Sequence, residues 1–131
     1  MSNILWGDLE TYCEIPITNG THAYAEGVEV MLFAWAINDG PVNVWDITAG
    51  GGISHGLYEA IADPETLLYF HNSHFDRTVL RYAMPRLAPP VERWRDTMVQ
   101  ALAHGLPGSL GELCEVLGVP QDKARTKKVK R

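Results

Sequence analysis

The sequence predicts an α/β domain with a mixed sheet, in which a three-stranded antiparallel meander precedes alternating helices and parallel strands, flanked by helices. Three observations support this class. Apolar runs rich in β-branched and aromatic residues occupy the first third of the chain, with turn signals between them. Beyond residue 57, short apolar runs alternate with segments of helical periodicity. An apolar share of 46% over 131 residues is enough for one compact core.

The meander is predicted from three apolar runs. Residues 4–11 begin with apolar residues and end with polar ones. This pattern is typical of a buried strand whose last residues carry polar side chains to the end of the sheet. Residues 28–37 form the second strand, and the Asn-Asp-Gly-Pro sequence at 38–41 is a turn signal. Residues 42–47 then return as the third strand.

The middle of the chain alternates between helix and strand. A short helix over residues 57–62 ends before Pro64, and residues 66–70 form a fourth strand. A helix then follows, because apolar residues recur at helical spacing from Phe75 until Pro85 stops it. Residues 93–95 are predicted to be a short edge strand.

Capping signals define the last two helices. Asp96 or Thr97 caps a helix that runs through His104, and Ser109 with Glu112 fits a capping box that opens a helix ending at Leu117. Residues 123–131 are highly basic and have no apolar stripe, so we expect a mobile tail there.

Charge is distributed unevenly along the chain. The net charge is −5, and no Lys or Arg occurs between Met1 and Asp76, whereas that stretch carries eleven acidic residues. Phosphate contacts normally come from Lys and Arg, so the acidic half needs bound cations to attract a polyanion. The sequence has no run of eighteen apolar residues, and Cys13 and Cys114 have no metal-ligand spacing. We therefore expect a cytoplasmic protein with reduced thiols.

Three carboxylates form the candidate site. Asp8 and Glu10 are two residues apart, so a strand presents them on one face. The right-handed crossover rule lets the fourth strand lie parallel to the first, which brings Asp76 to the same sheet edge. Such a cluster needs a cation to offset the repulsion between like charges, and oxygen ligands suit Mg²⁺ or Mn²⁺.

Three segments resemble the DEDD exonucleases. Residues 8–11 read Asp-Leu-Glu-Thr and resemble the first motif of that superfamily, and residues 72–76, Asn-Ser-His-Phe-Asp, are similar to the second. The stretch from Asp96 to Gly118 is similar to the segment that leads toward the third motif. The resemblance covers nearly the whole chain, and it is strongest to the proofreading domains of phage and bacterial family A DNA polymerases.

The resemblance implies a ribonuclease-H-like fold and a proofreading-type 3′→5′ exonuclease that releases nucleoside monophosphates from the 3′ end of single-stranded DNA. It implies a two-metal site of Mg²⁺ or Mn²⁺ and a polymerase domain in the parent protein. The implied catalytic and metal-binding residues are Asp8, Glu10 and Asp76, and the implied substrate-binding residues are Thr11, Asn72 and Phe75.

The third motif of the superfamily, a Tyr or His followed four residues later by Asp, does not occur in this sequence. We therefore interpret residues 1–131 as an exonuclease-like domain truncated before that motif, and we expect the isolated chain to be inactive or impaired. Two alternatives stay open: an RNA-trimming exonuclease of the same superfamily, and a non-catalytic nucleic-acid-binding domain that retains the fold.

Several residues also have structural interpretations. Asp96 could replace the missing carboxylate, but a helix cap is the favoured interpretation. Phe75 is equally consistent with the core, and Asn72 with a turn. His71 and His74 are not assigned as a general base. The four tryptophans are expected to pack in the core rather than form a binding surface; they are Trp6, Trp35, Trp45 and Trp94.

Overall fold

A computed structural model describes residues 3–14, 18, 20 and 27–119. The predicted basic tail at 123–131 lies outside these residues. The predicted α/β class is confirmed: five strands form one mixed sheet in the order β3-β2-β1-β4-β5, with helices between and after the strands. The elements are β1 Ile4–Tyr12, β2 Glu29–Ile37, β3 Asn43–Asp46, α1 His55–Ala62, β4 Leu67–Phe70, α2 Ser73–Ala83, β5 Trp94–Asp96, α3 Thr97–Ala103 and α4 Leu110–Leu117.

The predicted meander is confirmed. β2 runs antiparallel to β1 and β3, and the turn after β2 places Asn38 in the left-handed region at φ 51°. The Asn38 side chain accepts a hydrogen bond from the backbone N–H of Ile4 at 2.8 Å. Asparagine tolerates this backbone conformation, which explains how the turn signal in the sequence ends β2 and ties it to the start of β1.

The predicted parallel pairing of the first and fourth strands is also confirmed. β4 lies beside β1 in a register that pairs Ile4 with Leu67 and Gly7 with Phe70. β5 lies parallel to β4 at the sheet edge. The chain therefore crosses from the antiparallel half of the sheet to the parallel half through α1, and the carboxyl ends of β1, β4 and β5 point the same way.

The main core cluster packs sheet residues together with buried residues of α1 and α2. Leu5, Phe33, Leu68 and Phe70 are fully buried in it, and Trp94 packs with its ring centroid 4.9 Å from that of Phe70. Among the residues that the structure describes, no helix is long and apolar enough to span a membrane.

One tryptophan departs from the prediction of four core tryptophans. Trp94 is buried, and Trp35 and Trp45 pack partly buried against the core, but Trp6 is 42% exposed. Strand alternation turns Trp6 to the face opposite the buried Leu5. Its indole N–H donates to the Asn38 carbonyl oxygen at 3.1 Å and its ring lies 5.0 Å from that of Tyr69, so Trp6 packs on the exposed face of the central strand β1.

The predicted capping box before α4 is half right. Ser109 occupies the N-cap position, but its side chain makes no capping hydrogen bond. The backbone carbonyl of Ser109 instead accepts from Leu113 N–H at 2.8 Å. Ser109 is exposed, where water can satisfy the free amides of the first turn.

Arg93 joins three elements around the start of β5. Its guanidinium donates to the backbone carbonyl oxygens of Ile61 at 2.7 Å, Ala60 at 3.1 Å and Thr66 at 2.9 Å. Two of these carbonyls belong to the last turn of α1, where a cation also interacts favourably with the helix dipole. Burial lowers the pKa of the Arg93 guanidinium, and the nearby Asp63 opposes that shift.

The backbone of Gly7 on β1 lies against the ring of Phe70 on β4. A Cβ atom built on Gly7 would lie 2.2 Å from Cζ of Phe70, so the ring occupies the space that any side chain at position 7 would need. Phe70 is only 1% exposed and contacts the rings of Phe33 and Trp94, which leave it little room to move. The next residue along β1 is Asp8, so this contact lies directly beside the candidate site.

We expect Gly7→Ala to lower the free energy of unfolding by about 1–3 kcal/mol, the usual cost of overpacking a filled core. Gly52→Ala is the matched control, because a Cβ there meets no atom within 4 Å. Urea unfolding of both variants gives the comparison. Equal stability of the two variants would show that Phe70 does not constrain position 7.

Candidate metal and nucleic-acid site

Asp8 and Glu10 extend past the end of β4. The parallel pairing of β1 with β4 stops at Gly7, and β1 continues to Tyr12. Strand alternation places Asp8 and Glu10 on the face that carries Trp6, opposite the buried Leu5 and Leu9. Both carboxylates are partly buried. They therefore lie at the sheet edge where β4 has ended and α2 begins.

An irregularity in the sheet falls at this point, and no residue pattern predicted it. Glu10 lies opposite Leu32, whereas Thr11 lies opposite Val30, so β2 contains an extra residue, Met31, between these pairs. A bulge of this kind bends the strand and changes where the neighbouring side chains point. Thr11, the predicted substrate contact, is 8% exposed just beyond it.

Asp76 lies in the first turn of α2 and is 4% exposed. Helical spacing places it on the same side of α2 as the buried Val79 and Leu80. The helix N-terminus favours a negative charge, because the first backbone N–H groups are unpaired and aligned. The third carboxylate is thus held by the helix that directly follows β4, as the sequence pattern predicted.

Asp96 fixes the start of this helix. Its carboxylate accepts hydrogen bonds from the backbone N–H groups of Asn72 and Ser73, each at 2.9 Å, and from Met98 N–H at 2.8 Å. The preferred interpretation of Asp96 as the cap of α3 is therefore confirmed. Its second role, in holding the loop before α2, was not predicted, because it depends on the pairing of Asp96 with Phe70 across β5 and β4.

The loop between β4 and α2 carries the remaining predicted residues. Asn72 adopts the left-handed backbone conformation, with φ 62° and ψ 57°, and its side chain is exposed. Phe75 is partly buried and packs against the core. Asn72 therefore fits its interpretation as a turn residue, and Phe75 fits its interpretation as a core residue. The predicted contacts of both residues with substrate stay predictions.

His71 holds the same loop from the other side. Its Nε2 lies 2.6 Å from the Gly108 carbonyl oxygen, and its Nδ1 lies 3.0 Å from Oγ1 of Thr97. Both ring nitrogens are thus engaged by protein atoms, which agrees with not assigning His71 as a general base. Nothing in the sequence pattern indicated that His71 joins the loop to α3 and to the segment before α4.

The donor set of the site consists of carboxylate oxygens, which suits Mg²⁺ or Mn²⁺ better than a metal that prefers nitrogen or sulfur ligands. Within the described part of the chain, no three His, Cys, Asp or Glu side chains are grouped so that they could hold a metal ion. Asp8 and Glu10 lie on β1 beyond the end of β4, and Asp76 lies in the first turn of the helix that follows β4. Their joint binding of metal is argued below as a proposal.

Comparison with known proteins agrees with the predicted resemblance and with the observed fold. The chain is 30% identical over 124 residues to the DNA polymerase of Bacillus phage SP02, a match that covers 92% of the chain and 19% of the polymerase. No family model matches the chain.

Solved structures with the same fold include Brucella melitensis NrnC, with a TM-score of 0.65 at 20% identity over 99% of this chain and 58% of that one. NrnC has also been solved with bound Mg²⁺ and bound to pGG. The EXO domain of Aedes aegypti Nibbler superposes with a TM-score of 0.53 at 13% identity, covering 99% of this chain and 55% of that one. At these identities the likeness shows the fold.

The mixed five-stranded sheet defines an α/β fold that the chain shares with NrnC and with the Nibbler EXO domain. In sequence, the chain is similar to part of a phage DNA polymerase, which agrees with its resemblance to a DEDD-type exonuclease domain. It spans about a fifth of the length of that polymerase.

Because Asp96 satisfies three backbone amides at two helix starts, we expect Asp96→Ala to lower the free energy of unfolding by about 2 kcal/mol, the upper range for losing a helix cap. Asp96→Asn should lose less, since one amide oxygen can still accept from Asn72 and Met98. Asp39→Ala, in the exposed turn after β2, is the control for removing one negative charge. Thermal or urea unfolding measures all three, and an Asp96→Ala variant as stable as Asp39→Ala would contradict the capping role.

Proposed function

We propose that this domain is a metal-dependent 3′→5′ exonuclease that hydrolyses the terminal phosphodiester of single-stranded DNA and releases nucleoside monophosphates. One observation carries the proposal. Asp8 and Glu10 extend past the end of β4, and the buried Asp76 lies in the first turn of the helix that follows β4. This strand order supports the proposal that the three acidic side chains act together at the end of the sheet where β4 stops.

The three carboxylates would hold two Mg²⁺ or Mn²⁺ ions. When bound, such ions lower the pKa of an attacking water and stabilise charge on the leaving oxygen of a phosphodiester. The oxygen-only donor set supports this choice of metal, and so does the Mg²⁺ bound by the structurally similar NrnC. In this proposal Asp8, Glu10 and Asp76 are the catalytic and metal-binding residues.

The other residues of the site would position the substrate strand. Thr11, next to the bulge, would contact the terminal nucleotide, and Asn72 would present its exposed amide to the strand. Phe75 would offer a ring edge to a base, since aromatic side chains hold single strands without sequence preference. Asp96 would act through the backbone, by keeping the loop before α2 in place.

Similarity to a phage DNA polymerase supports a DNA substrate and a polymerase domain in the parent protein. Proofreading would then be the biological role, with the 3′ end of a primer strand as the partner. No residue of the site is assigned to the 2′-hydroxyl that distinguishes RNA from DNA. For that reason the activity test compares DNA and RNA.

Metal binding gives the first test. A ligand that binds only the folded state, present at a concentration ten times its dissociation constant, raises the free energy of unfolding by about 1.4 kcal/mol. For a domain of this size we expect Mn²⁺ to raise Tm by about 4 °C relative to EDTA. Asp8→Asn and Asp76→Asn should remove that rise, and Asp39→Asn should retain it. A full Mn²⁺-induced rise in Asp8→Asn would place the metal elsewhere.

Cleavage gives the second test. The sequence lacks the Tyr/His-x-x-x-Asp motif of the superfamily, so we expect the 131-residue chain to release mononucleotides slowly. A longer polypeptide that supplies this motif should be faster by on the order of a hundredfold, because misplacement of a catalytic group by 1 Å already costs that much. A 5′-labelled DNA oligonucleotide and its RNA counterpart, each with Mn²⁺, provide the substrates.

The matched control for cleavage is Asp8→Ala in the longer polypeptide. Loss of nucleotide release in that variant, with retained release in Asp39→Ala, is the expected result. Undiminished release in Asp8→Ala would refute the proposed mechanism. Faster release from RNA than from DNA would instead favour an RNA-trimming exonuclease.

A further inference from the structure

A groove of about 550 Å³ runs beside α2, away from the three carboxylates. The outer side of α2 forms one wall, and the segment between α2 and β5 forms the other. Helical spacing places the residues of the α2 wall on the side of the helix opposite Asp76. The residues that matter here are His74, Arg77, Arg81, Pro85, Pro89 and Val91.

This groove holds the cations of α2. The described part of the chain contains five arginines and no lysine, and all five come after residue 76. Arg93 is engaged with three backbone carbonyls, and Arg95 donates to the carbonyl oxygens of Glu92 and Trp94. Of the remaining three, Arg77 and Arg81 line the groove and Arg86 does not.

Neither groove arginine forms an ion pair with a carboxylate among the described residues. The ion pair found in that part of the chain joins His55 to Glu59. Arg77 lies 3.2 Å from Nδ1 of His74, and Arg81 is exposed. Two uncompensated guanidinium groups four residues apart on one helix form a row of positive charge about 6 Å long. A guanidinium group binds phosphate through two parallel hydrogen bonds. Arg77 and Arg81 together could therefore bind two phosphates in this way.

The opposite wall is apolar. Pro85 and Val91 are exposed and Pro89 is buried, so this side offers aliphatic surface and no competing negative charge. A cationic wall facing an apolar wall suits a strand that has phosphates on one side and sugars or bases on the other. An acidic protein segment would use the cationic wall but would leave the apolar wall unmatched.

We propose that this groove binds the phosphate backbone of single-stranded nucleic acid, upstream of the nucleotide at the carboxylates. The proposal rests on the proposed function, because the same strand would end at Asp8, Glu10 and Asp76. Arg77 is adjacent to Asp76 in the chain, so the strand has only the width of one helix to cross, about 10 Å. The cations of α2 would then supply the phosphate contacts that the acidic first half lacks.

The test is binding of 5′-fluorescein-labelled dT12 and dT3 to the 131-residue chain by fluorescence anisotropy, in EDTA so that no cleavage occurs. We expect Arg81→Gln to weaken dT12 binding about threefold and Arg77→Gln with Arg81→Gln about tenfold, typical of exposed ionic contacts. Each lost contact should also reduce the slope of log Kd against log salt by about 0.7. The shorter dT3 should bind more weakly than dT12, because it offers fewer phosphates to the groove.

Arg86→Gln is the control, because it removes the same charge from an exposed arginine outside the groove. Three results would overturn the proposal. The first is equal weakening of dT12 binding by Arg81→Gln and Arg86→Gln, and the second is unchanged dT12 binding in Arg81→Gln. The third is no measurable dT12 binding by the unaltered chain at low salt. These outcomes are independent of cleavage. Nucleotide release that survives Asp8→Ala would contradict the proposed function instead, and would leave the binding comparison valid.

Discussion

The packing of Phe70 against the bare backbone of Gly7 is the contact on which the rest of the site depends. It lies at the last pair of the β1–β4 ladder, where β4 ends and β1 continues to Tyr12. One residue beyond Gly7 the chain places Asp8, and three residues beyond Phe70 it starts α2. In the proposed function, this parallel pairing brings acidic residues from distant parts of the sequence to one end of the sheet, which is where ligands bind in open α/β sheets.

Two charged side chains outside the carboxylate site, Asp96 and Arg93, connect the surrounding helices and loops to the sheet. Asp96 joins the starts of α2 and α3 through backbone amides, and Arg93 joins the end of α1 to the residue before β4 through backbone carbonyls. Both lie at or next to the short strand β5. Only Trp94 of this three-residue edge strand is buried, and the charged side chains that satisfy backbone groups beside it help to fix the position of the strand.

Local sequence signals predicted those parts of the fold that local physics determines. The turn at Asn38, the helix of α2 and the shared strand face of Asp8 and Glu10 each follow from the conformational preference or spacing of nearby residues. The crossover rule added the neighbouring position of β4. What the sequence could not reveal depends on contacts between distant residues: the bulge beside Glu10, the capping of the α2 loop by Asp96, and the exposed position of Trp6 on the central strand.

The central claim is that β1 and α2 together bind one metal centre, and anomalous diffraction from crystals of the chain grown with Mn²⁺ tests it most directly. We expect Mn²⁺ with carboxylate oxygens of both Asp8 and Asp76 at coordination distances of about 2.0–2.6 Å. Carboxyl groups of Asp8 and Asp76 more than about 8 Å apart, or Mn²⁺ bound only at other residues, would contradict a shared site, because no single ion could then reach both.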